Sequence, residues 1–189
     1  MNGVLYGTTR EGGKYGDGTI FSIDPKSGKE KVLYSFCSQF GCPDGAWPEA
    51  TLLNVNGTMY GTTTYGGGSG CGSSGYPGCG TIFAFDPSTG AESVLYAFEN
   101  GTGGQFPGGL IDIRGKLYGT TLSTAFNSNN VAFSFDTGTN VEKTLYSFGS
   151  NWPYGLTYSH HALYGTTSYG GGGGCNGGCG TVFSLTKMR

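Results

Sequence analysis

Asp44 and Glu49 flank the dipeptide Trp47-Pro48. Two carboxylates beside an indole are the equipment of a sugar-acting loop, one acid and one base around a stacked ring. The same residues also read as ordinary loop chemistry, with Asp44-Gly45 as a turn and Glu49 as a solvated charge. The histidines stand side by side as His160-His161, between Tyr158 and Leu163. His160 offers a general base or a metal ligand, or it is one member of a tight surface turn. No Gly-x-Ser-x-Gly elbow accompanies it in a strand–turn–helix context. The other acidic residues recur at fixed places: Asp24, Asp86 and Asp136 in turns, and Glu30, Glu92 and Glu142 ahead of strands. Recurrence in successive units is the mark of a structural role.

Aromatic side chains recur in loops. Trp47, Phe106 and Trp152 each precede a proline, and Tyr65 and Tyr169 each stand beside a glycine run. Such rings stack on sugars, and repetition gives weak sites avidity. They serve equally as packing between repeated units, where a neighbouring proline stiffens the turn. The runs Gly66–Gly68 and Gly170–Gly174 lack the Gly-Lys-Thr and following helix of a phosphate cradle. Cys37 and Cys42, Cys71 and Cys79, and Cys175 and Cys179 form three close pairs. Local disulfides in an oxidising compartment are the economical reading; two-thiolate metal sites without an adjacent histidine are the rival. None of these motifs requires a cofactor or a metal.

The elements that position these residues are repeated. Leu5-Tyr6-Gly7-Thr8-Thr9 returns at Met59–Thr63, Leu117–Thr121 and Leu163–Thr167. A second run, Gly18-Thr19-Ile20-Phe21, returns at Gly80–Phe83 and Gly180–Phe183, and in drifted form at Val131–Phe133. A third, Val32-Leu33-Tyr34-Ser35-Phe36, returns at Val94–Phe98 and Thr144–Phe148. A short fourth strand is expected at 51–53, 109–111 and 155–157. Alternation and β-branched or aromatic content make all four runs strands. Asp24-Pro25 and Asp86-Pro87 open hairpin turns. Four strands in units of roughly 50 residues predict an all-β β-propeller of four-stranded antiparallel blades, about four per chain. The expected units are roughly 1–48, 49–106, 107–153 and a partial 154–189, within one domain. Both ends are out of phase with the blade, so two strand types occur four times and two occur three times.

Composition narrows the function classes. Ten basic against twelve acidic residues, net −2, give no basic stripe for a phosphate backbone. No apolar run reaches the ~20 residues of a membrane helix. Met1 is followed almost at once by a strand, so no signal peptide is read, and a mature form or a fragment is expected. Glycine is abundant at 39 residues, but aromatics at 14% argue for an ordered β protein.

The combined pattern of Leu5–Thr9, Gly12-Gly13, Gly18–Phe21, Leu33–Phe36 and Asp44–Pro48 resembles the bacterial GloVer tandem repeat of choice-of-anchor surface proteins. The resemblance covers nearly the whole chain. The third unit departs, since Leu122–Asn130 holds neither glycine nor cysteine. The resemblance implies a secreted or surface-anchored β-propeller-like protein without established catalytic residues. The leading expectation is a non-enzymatic binding module for a glycan or another small ligand, through Trp47, Phe106, Trp152, Tyr65 and Tyr169. The alternatives are a hydrolase or lyase on polysaccharide or ester, through Asp44, Glu49 and His160, and a structural self-assembly repeat. A homodimer that completes the partial blades is a possible partner arrangement.

Overall fold

A computed structural model describes residues 3–71, 77–99, 104–122, 129–175 and 177–186. Among these, every regular element is a strand. The first sheet holds β1 (Leu5–Thr9), β2 (Thr19–Ile23) and β3 (Glu30–Ser35). The second holds β4 (Leu53–Val55), β5 (Thr58–Thr63), β6 (Thr81–Asp86) and β7 (Ala91–Ala97). The third holds β8 (Pro107–Ile113), β9 (Lys116–Thr121), β10 (Asn130–Asp136) and β11 (Val141–Gly149). The fourth holds β12 (Pro153–Ser159), β13 (Ala162–Thr167) and β14 (Thr181–Leu185). Every sheet is antiparallel, with its strands in chain order. The expected tally of strand types is met. Among the described residues, the first sheet shows no counterpart of β4, β8 and β12, and the fourth shows none of β3, β7 and β11.

The short strand differs from expectation. β8 and β12 run seven residues and begin at Pro107 and Pro153, which pair with Thr121 and Thr167. Proline is tolerated there because it opens the strand; a register shift follows Pro107 at once in β8 and follows Tyr154, one residue after the proline, in β12. β4 instead starts two residues late, at Leu53.

The repeated glycine explains the register. Gly7, Gly61, Gly119 and Gly165 lie opposite Phe21, Phe83, Phe133 and Phe183. A Cβ on any of these glycines would stand 2.4–2.7 Å from the tip of the facing ring. The absent side chain is therefore the seat of the phenylalanine. Phe83 and Phe133 are fully buried.

Successive sheets meet through one recurring joint. Phe36 packs edge-on against Phe83 at 5.2 Å, as does Phe98 against Phe133 at 5.3 Å, and Phe148 packs tilted against Phe183 at 4.6 Å. The first threonine of the first three motifs donates to a carbonyl at the entrance to the following sheet: Thr8 to Ala50, Thr62 to Gly108, and Thr120 to Pro153. The second threonine stays within its sheet, where Thr63 and Thr167 meet Thr81 and Thr181 at 2.8 and 2.7 Å. In the drifted third unit Val131 replaces that partner, and its N–H donates to Thr121 Oγ1. Two apolar clusters result. Ile20, Phe36, Met59, Phe83 and Phe85 join the first two sheets, while Ile82, Phe98, Leu117, Phe133 and Phe135 join the second and third.

Turns at the far end of the sheets behave as their sequences require. The Ser27 and Ser88 hydroxyls donate to Asp24 and Asp86, and Asp24, Asp86 and Asp136 also accept backbone N–H groups two residues on. The serine bonds first for Asp24 and Asp86, and the Gly138 N–H first for Asp136, hold these carboxyls below the ordinary value. The two-residue hairpins Asn56-Gly57, Arg114-Gly115 and His160-His161 all hold positive φ at both positions. Such turns favour Asn-Gly, and a branched-ring residue at the second position is strained. His161→Gly, which restores the residue found in the sister turns, is expected to stabilise the protein by about 1 kcal/mol. A urea unfolding midpoint that rises at unchanged slope is the check.

Candidate functional site

In an up-and-down sheet the connections alternate between the two ends of the strands. The described residues 10–18, 36–52, 64–71, 77–80, 98–99, 104–106, 150–152, 168–175 and 177–180 therefore share one edge. The proof lies in their mutual bonds. Ala46 bridges Tyr65, the Trp47 N–H donates to Asp17, and the Phe106 N–H donates to Cys79. All three cysteine pairs on this edge are disulfides: Cys37–Cys42, Cys71–Cys79 and Cys175–Cys179. Asp17 lies near Cys37 and Cys42, but those sulfurs are bonded to each other and offer no thiolate.

The loop aromatics assemble in part. Tyr65 stands between Trp47, at 5.0 Å, and Phe106, at 5.1 Å, edge-on to both. Trp152 and Tyr169 repeat the Trp47–Tyr65 pair at 5.0 Å in the fourth unit. The rings are half-buried, except Tyr169, which is exposed. Trp47 and Phe106 both hold φ of +58°. Left-handed backbone costs such residues roughly 1–2 kcal/mol, so the surrounding packing fixes them there.

Arg10 completes this group. Its guanidinium lies 4.3 Å from the Trp47 ring centre, and its Nε lies 3.0 Å from Glu49 Oε1. Both charged side chains are about half exposed. The sequence signal for Arg10 was its place directly after the first Tyr-Gly-Thr-Thr, where the sister units carry Thr64, Leu122 and Ser168. A stacked guanidinium paired to a carboxylate presents donors and acceptors in one plane at the rim of an aromatic cluster.

Asp44 belongs to a different group. Its Oδ2 accepts from the Tyr34 hydroxyl at 2.9 Å and from the Ser38 N–H at 3.3 Å. Glu92 of the next unit lies close enough to act on the Tyr34 phenol, and its Oε1 is buried without a hydrogen-bond partner. Burial first, and the Asp44 charge second, push the Glu92 carboxyl up to about 7. Burial likewise holds the Tyr34 phenol well above its ordinary value. Tyr96 and Glu142 repeat this approach of phenol and carboxyl one unit on, and burial raises Glu142 too. Glu92 and Glu142 thus do more than open strands: each lies beside the tyrosine of the preceding unit.

Asp44 and Glu49 share one loop but serve separate partners. His160 does not join them. It lies in the β12–β13 turn at the opposite edge, exposed, with Nδ1 2.8 Å from Ser159 Oγ.

A model of the Gloeobacter/Verrucomicrobia repeat matches residues 1–183. A search of curated protein sequences finds no match. Solved structures share the fold at low identity. A chain of the nidogen/laminin complex superposes with a TM-score of 0.61 at 17% identity, over 98% of this chain and 57% of that one. The extracellular domain from B. thetaiotaomicron described as a one-component system gives 0.59 at 14%, over 89% and 19%. TolB from Acinetobacter baumannii gives 0.54 at 14%, over 99% and 40%. The chain therefore spans well under two thirds of each of these chains.

Proposed function

Because the chain belongs to the Gloeobacter/Verrucomicrobia repeat family, we propose that it is an extracytoplasmic binding module of β-propeller type that takes a glycan on its disulfide-tied edge. The observation that carries this reading is the half-exposed Arg10–Glu49 pair beside Trp47, Tyr65 and Phe106. Sugar recognition needs an aromatic plane for the C–H face and a fixed set of donors and acceptors for the hydroxyls. This edge offers both, on loops held by disulfides. Three disulfides also support an oxidising location outside the cytoplasm, and one structural relative is itself an extracellular domain.

Titration with a panel of cell-wall and plant oligosaccharides tests the proposal. Arg10→Ala and Glu49→Gln, both at exposed positions, are expected to weaken binding about tenfold each, the scale of one charge-assisted hydrogen bond. Absence of binding at millimolar sugar, with the protein folded, would remove the proposal.

A second reading rests on the Tyr34–Asp44–Glu92 group. A buried carboxyl pushed up to about 7 beside a second carboxyl group is the pairing used for acid–base cleavage of a glycosidic bond. This hydrolase reading requires hydrolysis of a polysaccharide that Glu92→Gln abolishes. Unchanged turnover would assign the group to the joint between units alone.

A further inference from the structure

Phe40 is 102% exposed, the most exposed large hydrophobic side chain among the described residues. It stands in the loop closed by the Cys37–Cys42 disulfide. Ten residues, 37–46, run from Phe36 to Trp47. The matching segments are shorter: seven residues, 99–105, lead to Phe106, and three, 149–151, lead to Trp152. Neither holds a cysteine or an aromatic residue.

The exposed ring is carried on a fixed backbone. The Cys42 N–H donates to the Gln39 carbonyl at 3.0 Å, which closes a turn around Phe40 and Gly41. Gly41 takes the positive φ, +84°, that the second inner position of such a turn calls for. Cys37 and Cys42 hold φ of 63° and 48°, left-handed backbone that persists where the surroundings dictate it. The Cys42 carbonyl accepts the Gly45 and Gly67 N–H groups, both at 2.9 Å. These bonds tie the loop to the glycine run that follows Tyr65. Chain geometry then places the Phe40 and Tyr65 Cα atoms within roughly 20 Å, the reach of a short oligosaccharide. An apolar ring held still in water loses little freedom when a ligand covers it.

Three departures from the repeat thus meet at one corner of the edge. They are Arg10, the Phe40 loop, and Glu49, where the sister units carry Gly108 and Tyr154. We propose that Phe40 is an outlying stacking platform for the glycan taken by Arg10, Glu49 and Trp47, so that the ligand is an extended oligosaccharide. The inference rests on the glycan reading of this edge and adds chain-length selection to it. Phe40 brings no polar atom, so its subsite reads the flat apolar face of a sugar ring. β-1,4-linked chains, whose sugars present such faces, are the class it takes.

Calorimetric titration with β-1,4-linked oligomers of glucose, xylose and N-acetylglucosamine, from two to six sugars, tests the proposal. Binding is expected to tighten with length, by about fivefold from shortest to longest, the scale of one stacked ring. Phe40→Ala is expected to remove that gain and to leave the affinity of the shortest oligomer unchanged. Phe40→Tyr, which keeps the ring, is expected to retain it. Glu49→Gln is expected to weaken every length alike, which separates the two readings. An affinity independent of length, or a gain that survives in Phe40→Ala, would overturn the Phe40 subsite and leave the glycan edge standing. No binding of any oligomer at millimolar concentration would overturn both.

Discussion

Gly61→Ala is expected to destabilise the protein by about 3 kcal/mol, at the upper end of what overpacking costs. The added methyl would stand 2.4 Å from Phe83 Cζ and 3.1 Å from Leu52 Cδ2. Phe83 cannot withdraw. It is fully buried and Phe36 packs against it at 5.2 Å. Either the ring leaves its rotamer or β5 separates from β6, and both break the joint to the first sheet. Gly109→Ala is the matched control. That glycine lies in a strand, without positive φ and with no neighbour within 4 Å of the added carbon, so its effect is expected to stay within about 0.5 kcal/mol. Combining Gly61→Ala with Phe83→Leu, which shortens the facing side chain, is expected to recover part of the loss. Urea unfolding midpoints for the three variants make the comparison. Equal losses at Gly61 and Gly109 would show that the Gly–Phe seat does not set the packing.

Glu92 is expected to make the fold less stable as the solution becomes alkaline. Its carboxyl titrates near 4.5 in the unfolded chain and about 7 in the folded one. The folded state therefore holds the extra proton between those values. The stabilisation from that proton is complete below pH 4.5 and is lost as pH rises through 7. The displacement converts to at most about 3 kcal/mol. Water reaches part of the side chain, so the expected loss is about 2 kcal/mol. Glu142, also raised by burial, adds in the same direction. The turn aspartates act oppositely, since Asp24, Asp86 and Asp136 are depressed and lose their contribution only in stronger acid. Glu92→Gln keeps the shape and removes the charge. It is expected to match the wild type near pH 5, to exceed it by about 2 kcal/mol at pH 8, and to flatten the slope between. Denaturant unfolding from pH 4.5 to 8.5 measures this. A wild-type curve that rises across the window would show that Glu92 is ionised throughout.

The strands were legible because each motif encodes its partner. Tyr-Gly-Thr-Thr names the glycine that receives a phenylalanine and the threonine that bonds across the strand. Four occurrences averaged out local ambiguity. The drifted run Val131–Phe133 was still readable because Phe133 remains opposite Gly119. Strand ends were less legible. Pro107 and Pro153 extend β8 and β12 because an opening residue needs no N–H, which composition alone does not reveal. The candidate site was legible in its aromatics and in Glu49, which recur or stand out by type. Arg10 was missed because a lone arginine beside a glycine loop has no spacing signal; only its contrast with Thr64, Leu122 and Ser168 marks it. The approach of Tyr34 to Glu92 brings together residues 58 positions apart, and it follows from how one sheet stacks on the next. His160 was grouped with Asp44 and Glu49 by chemistry, whereas the alternation of loops sends it to the other edge.

The chain has two tryptophans, Trp47 and Trp152, so Trp152→Phe leaves Trp47 as the single reporter of the proposed glycan edge. Its fluorescence, titrated with soluble cell-wall and plant oligosaccharides, tests the central claim most directly. A saturable shift in emission that Glu49→Gln weakens about tenfold is the predicted result. An unchanged spectrum across the panel at millimolar sugar, from a protein with native unfolding behaviour, would contradict it.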